Sequence, residues 1–179
     1  MSKLFPKTAS KIPVCLLLLL ISGLMLGGCG ADSQEAAPLN DTAWIAQNDG
    51  SQWLFRSDGT FSWYQDKTVT DDNYYAGTFT VKTGEEALDC LDNELADFGY
   101  SRQNAEKMIE MQYDQKYSVK NFIAVSCQNE SFMLQGEEQL NDVWPTAYCG
   151  FLVPEDNKLV LLNLSTGNWY WFGAEEAEA

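Results

Sequence analysis

The sequence predicts a mainly β domain with a helical insertion: an antiparallel meander broken at mid-chain by two short helices. Three observations carry this. Between residues 44 and 82, apolar and polar residues alternate in short runs separated by turn formers, Asp58-Gly59 among them. From Thr83 the apolar spacing lengthens to that of a helix, at Leu88, Leu91, Leu95 and Phe98. After residue 120 the two-residue period returns and runs to Phe172.

The elements follow in order. Trp44-Ile45-Ala46 is a short strand ahead of an Asn48-Asp49-Gly50 turn. Gln52 to Arg56 and Thr60 to Tyr64 form a hairpin over Ser57-Asp58-Gly59, because Asp-Gly supplies the positive φ of a tight turn. Trp53 and Phe55 share one face, as do Phe61 and Trp63, so aromatic pairs across the strands are expected. Asp66 to Asn73 is a polar loop. Tyr74 to Lys82 places Tyr75, Gly77, Phe79 and Val81 on one side and threonines and Lys82 on the other. Thr83 and Glu86 have the spacing of a capping box. Two helices are predicted, near 84–98 and 102–112, with Gly99 ending the first and Ser101 capping the second. Asn121 to Cys127 and Ser131 to Leu134 then read as a hairpin across Gln128-Asn129-Glu130, followed by an acidic loop from Gly136 to Val143. Thr146 to Val153 is a strand between Pro145 and Pro154. Lys158 to Leu164 and Asn168 to Phe172 close the domain as a hairpin over Ser165-Thr166-Gly167. The domain spans 41–173, and 174–179 is an acidic tail.

Trp44, Trp53-Leu54-Phe55, Asp58-Gly59-Thr60-Phe61, Tyr64 and Gly77-Thr78-Phe79 together resemble the lipocalin-like β-barrel proteins found among bacterial lipoproteins. The resemblance covers about residues 39–82. Lipocalins usually carry Gly two residues before the first Trp, where this chain has Thr42, and they lack a two-helix insertion at mid-chain. The resemblance implies a meander curling into a lipocalin-like barrel or strongly curved sheet around an apolar interior, with a small-ligand cavity and no catalytic residue.

Ahead of the domain, Lys3, Lys7 and Lys11 precede an apolar run from Val14 to Leu26. That run is shorter than the roughly 20 residues of a spanning helix and ends in small residues, the pattern of a secretory leader. Leu26-Gly27-Gly28-Cys29 follows, a large aliphatic, two small residues and Cys. This resembles the lipobox of lipoprotein signal peptides. The resemblance implies cleavage between Gly28 and Cys29 and thioether attachment of diacylglycerol to Cys29. Residues 1–28 are then a signal peptide and 29–40 a flexible tether, polar and too poor in apolar residues to fold. The expected address is the bacterial cell membrane, with the protein lipid-anchored and its domain on the extracytoplasmic side.

The leader's three lysines are its only charges. Without them 8 basic residues face 26 acidic ones, a formal charge of −18 that repels nucleic acid. The chain has no histidine, which removes Ser-His-Asp and Cys-His catalysis and histidine zinc sites. Cys90, Cys127 and Cys149 lack the spacing of a thiolate zinc site or a redox dithiol. Strand parity leaves two states open for Cys127 and Cys149: a bridge between them, or buried free thiols. The acid pairs Asp71-Asp72, Glu85-Glu86 and Glu137-Glu138 would serve glycoside hydrolysis only if two carboxylates faced each other about 5–9 Å apart across a cleft. Asp71, Asp72 and Asn73 offer oxygen atoms to calcium but lack EF-hand spacing. No catalytic residue, metal ligand or cofactor is assigned.

Aromatic residues are the functional lead. Trp169, Tyr170 and Trp171 put rings on both faces of the last strand, where they can stack on a ligand or pack under the helices. The expectation is a non-enzymatic lipoprotein binding a ligand or partner at the cell envelope. A structural or interaction protein with no pocket is the alternative, and a carboxylate-dependent hydrolase is the third. Cavity volume separates the first two.

Overall fold

The computed structural model describes residues 38–67 and 72–174. The signal peptide, Cys29, most of the tether, Asp71 and residues 175–179 lie outside the described residues. The described strands are β1 (Thr42–Ala46), β2 (Gln52–Phe55), β3 (Thr60–Tyr64), β4 (Tyr74–Thr83), β5 (Phe122–Leu134), β6 (Glu137–Glu138), β7 (Trp144–Val153), β8 (Lys158–Asn163) and β9 (Trp169–Ala174). Helices α1 (Gly84–Asp92) and α2 (Arg102–Glu110) lie between β4 and β5.

Each strand pairs antiparallel with the next, the two-residue β6 aside, and β9 returns to β1 through Trp44↔Ala174, Ile45↔Gly173 and Ala46↔Phe172. Among the described residues, eight strands therefore close into a barrel, with two helices inserted at mid-chain. Closure removes the unpaired sheet edges. This is the barrel, rather than the open curved sheet, of the two forms the sequence allows.

The pleat creates two apolar layers. Trp53↔Trp63 and Phe55↔Phe61 pair across β2 and β3 and point inward with Trp44, Phe79, Ile123, Val125, Leu152, Leu159, Leu161 and Phe172. The second layer lies outside the barrel. There Leu88, Leu91, Leu95, Ala105 and Met108 of the helical segment cover Phe122, Ala124, Ala147, Cys149, Phe151 and Leu162. Arg102 ties the helices together, bonding Glu85 at 2.7 Å and Asp89 at 2.5 Å on α1, and Glu106 at 2.7 Å on α2. These bonds hold the guanidinium above its ordinary pKa.

The structure departs from the predicted elements in four places. First, β5 runs unbroken through Gln128-Asn129-Glu130, where a hairpin turn was expected. Gly77 pairs with Asn129 and Ala76 with Ser131, so Glu130 is the extra residue of a β-bulge. The true partner of this segment is β4, distant in sequence, and local turn signals cannot reveal that. Second, the first helix stops at Asp92. Asn93 Nδ2 donates to the Asp89 carbonyl, and the segment re-forms only as one 3₁₀ turn at Ala96–Phe98. Third, Thr83 sits at the N-cap but its side chain makes no capping bond, since Gly84 (φ +60°) turns the chain away. Ser101 does cap α2, accepting from Asn104 N–H. Fourth, Leu39, assigned to the tether, is fully buried in the barrel interior. The Thr42 hydroxyl holds this entry: it donates to the Leu39 carbonyl at 2.6 Å and accepts the Trp44 indole N–H at 2.9 Å.

Two glycines act where backbones nearly touch. A Cβ on Gly77 would sit 1.8 Å from the Gln128 carbonyl oxygen, and one on Gly150 would sit 1.9 Å from that of Val160. Neither neighbour is a side chain that can swing aside. Gly150→Ala is expected to destabilise the barrel by about 3 kcal/mol, whereas Gly59→Ala, with open space but a φ of +81°, is expected to cost about 1 kcal/mol. Urea unfolding of both variants checks this, and equal losses would contradict it.

Candidate functional site

The meander sorts the loops between two ends. The chain enters β1 at the end that also holds the β2–β3 turn, where Asp41 Oδ1 accepts the Ser57 N–H at 2.9 Å. That end is filled by Leu39, Phe55, Phe79 and Leu159. The opposite end, framed by the β1–β2 and β8–β9 turns, is hollow.

This mouth encloses about 380 Å³. Its aromatic wall comes from β2, β3 and β4, with Trp53, Phe61, Trp63 and Tyr75. Across the ring, β5, β7, β8 and the β8–β9 turn supply Asn129, Thr146, Asn163, Ser165 and Thr166. Trp144, Tyr148 and Tyr170 complete the lining. Among the described residues, no charged side chain lines the space.

The rings brace one another. Trp53 meets Tyr148 edge-on at 5.2 Å and Tyr170 at 6.2 Å. Tyr75 stacks on Phe132 at 4.3 Å and meets Trp144 edge-on at 5.5 Å. Such pairs stabilise beyond the area they bury. The polar wall is equally fixed. Asn163 Oδ1 accepts the N–H groups of Ser165 and Thr166, which shapes the turn. Asn129 Nδ2 donates to the Trp144 carbonyl at 2.9 Å and the Thr146 hydroxyl at 3.3 Å. A backbone carbonyl can only accept, so this bond sets the orientation of the amide.

Among the described residues, the buried Trp53 Nε1–H of this lining finds no acceptor. Burial pushes the phenols of Tyr75, Tyr148 and Tyr170 above their ordinary values, so all three stay protonated and neutral. For Tyr148, Thr146 and Asn163 offset part of that rise.

The structure separates the three aromatics that the sequence grouped. Tyr170 points inward and lines the mouth. Trp169 and Trp171 point outward, their rings 6.4 Å apart, and line a shallow groove of about 270 Å³ with Gln112, Tyr117, Phe151 and Val160. Most of the site escaped the sequence reading. Trp53, Phe61, Trp63 and Tyr75 were legible as an inward face but not as a cavity wall, and Asn129 was taken for a turn residue.

The Cys127–Cys149 bridge is not formed; both cysteines are free and buried. Cys127 pairs with Thr146 and points into the barrel, while Cys149 pairs with Ala124 and points out under the helices. Three residues of ladder separate them, roughly 10 Å, beyond the ~7 Å limit for a bridge. The two thiols belong to separate apolar layers.

Asp72, Glu85-Glu86 and Glu137-Glu138 are not among the lining residues, and Asp71 lies outside the described residues. Glu85 bonds Arg102. Glu138 accepts the Ser131 hydroxyl and the N–H groups of Phe132 and Leu140, which lowers its pKa. Asn73 Oδ1 accepts the Gln135 N–H. Among the described residues, no cluster of three or more acidic or cysteine side chains could hold a metal ion, and no helix is long and apolar enough to cross a membrane. No protein-family model, curated protein or solved structure matches this chain.

Burial pushes the Cys127 and Cys149 thiols up from 9.0 to about 12. A raised folded-state pKa contributes stability that is complete below pH 9 and lost as pH climbs through 12. Each thiol is expected to add a slope of about 1.4 kcal/mol per pH unit across that window. Cys149→Ala should remove one such share from the alkaline unfolding profile. An unchanged slope would contradict the assignment.

Proposed function

We propose that this chain is a membrane-anchored extracytoplasmic lipoprotein, held by diacylglycerol on Cys29, whose barrel binds a small ligand at its open mouth without catalysing a reaction on it. The observation that carries the reading is the cavity of about 380 Å³, which falls within the usual size of small-molecule sites and has their composition: mostly aromatic, with a few placed polar groups. A packed-solid interaction protein would have filled this end as it fills the other. A carboxylate-dependent hydrolase would need acids in the cleft, and the described lining residues include none.

Residue 38, the first described residue, lies at the filled end of the barrel, opposite the mouth. Two acyl chains suffice for stable attachment, since each buried CH₂ contributes about 0.8 kcal/mol.

Two measurements test this. Cys29→Ser is expected to abolish incorporation of labelled fatty acid; labelling at the wild-type level would rule out the anchor. Native mass spectrometry of the protein from its own host is expected to show a small-molecule adduct that Thr146→Trp, which fills the mouth, removes. An adduct that survives that change would place the ligand elsewhere.

A further inference from the structure

We infer that the ligand of the barrel mouth is a neutral saccharide, held with a pyranose face against the aromatic wall and its hydroxyls against the polar wall. The inference rests on the reading of the mouth as a binding site and names the chemistry of its occupant.

The charge of the lining narrows the class first. The chain carries 26 acidic residues and a formal charge of −15, yet among the described residues no ionisable carboxylate, amine or guanidinium lines the mouth. An anion would meet no counter-charge there and a negative protein around it. A cation would find no carboxylate. The phenols of Tyr75, Tyr148 and Tyr170 are held protonated by burial, so they too are neutral hydrogen-bonding groups. The occupant is uncharged.

The arrangement of the walls narrows it further. In a ring of eight strands, β2 and β3 stand opposite β7 and β8. Trp53, Phe61 and Trp63 therefore face β7 and β8, where Thr146 and Asn163 stand beside Trp144 and Tyr148. Rings and neutral hydrogen-bonding groups share the lining, so a molecule that fits must offer both apolar faces and polar atoms. A fatty chain is apolar all round. An indole-like heterocycle stacks well but carries a single polar atom. A pyranose has C–H bonds on its faces, whose partial positive charge suits the negative face of an aromatic ring, and hydroxyls around its edge.

An unpaired atom agrees. Among the described residues Trp53 Nε1–H lacks an acceptor. A hydroxyl is both donor and acceptor, so a polyhydroxylated ligand can supply one. A purely apolar occupant would leave it unsatisfied.

The test uses the full chain in a zwitterionic detergent free of sugar headgroups, read by tryptophan fluorescence. Three of the six tryptophans line the mouth. The probes are maltotriose, cellotriose and chitotriose, with indole and octanoate as the heterocycle and fatty-acid arms. At least one trisaccharide is expected to give a saturable change. Trp63→Ala should weaken it tenfold or more and Trp53→Phe, which keeps an aromatic ring but removes the donor, several-fold. Tyr113→Ala, at a fully exposed position, should leave it unchanged. Thermal unfolding of each variant shows that it is folded. Binding of indole or octanoate alone, weakened by Trp63→Ala, would overturn the saccharide while leaving the mouth a binding site. Trisaccharide binding indifferent to both tryptophan variants would overturn this site for it. No saturable change with any probe would overturn the saccharide, and absence of an adduct in the mass spectrum as well would take the binding reading with it.

Discussion

Strands β5 and β7 are buried on both faces, and the rest of the molecule follows from that. Ile123, Val125 and Cys127 point into the barrel while Phe122 and Ala124 point out; β7 repeats the pattern with Tyr148 and Leu152 inward and Ala147, Cys149 and Phe151 outward. A barrel wall with water outside would alternate apolar with polar. This one instead presents an apolar outer stripe, which would be left wet without cover. The insertion between β4 and β5 supplies the cover, and it joins the barrel beside the strands that need it. Small residues at 124 and 147 let the helices approach closely. Arg102 then holds α1 and α2 together from the solvent side.

Closure sets where a ligand site can exist. A meander of eight strands brings both chain ends to one end of the barrel, leaving the other to turns and loops. At the first end, Leu39 and the rings of Phe55 and Phe79, 4.8 Å apart, fill the interior. At the second, Trp53 and Tyr148 meet edge-on at 5.2 Å from opposite walls, and a cavity of about 380 Å³ is left beside them. The bulge at Glu130 matters here. It keeps Asn129 and Phe132 both inward across three residues, so a hydrogen-bonding amide and a stacking ring for Tyr75 share one strand. Gly77 opposite permits the close backbone approach that the bulge requires.

Much of the barrel was legible because its signals are local. Asp58-Gly59 marks a hairpin whose Asp58 Oδ1 accepts both the N–H and the hydroxyl of Thr60, and a two-residue period needs no distant partner to be read. The helices were legible for the same reason, with boundaries off where one side chain, Asn93, ends the first early. What failed was non-local. Gln128-Asn129-Glu130 has turn composition, yet ten register pairs with β4 extend the strand through it. Cys127 and Cys149 both read as buried, and both are; parity along one strand cannot say that both strands are buried on both faces, with one cysteine in each layer. The mouth was invisible for a related reason. Inward aromatics predict a core, and whether they meet or stand apart depends on barrel diameter and stagger.

The neutrality of the mouth is the feature least explained by folding alone. With 26 acidic residues in the chain, an uncharged lining is a segregation of charge, and the pleat accounts for it. Along the barrel, carboxylates fall on outward positions, on the helices or in turns, where water or Arg102 meets them. Inward positions at the filled end are apolar because they are sealed. Those at the mouth are only half sealed, and there aromatic rings and neutral amides replace aliphatic chains. Tyr75, Trp63 and Trp144 are each partly exposed there. Rings of this kind tolerate both water and a ligand at modest entropic cost, because few torsions need fixing. An aliphatic lining would have collapsed inward to exclude water, and a charged one would have stayed hydrated. Braced aromatics with fixed amides hold the space open while leaving the Trp53 indole N–H to be satisfied by whatever enters.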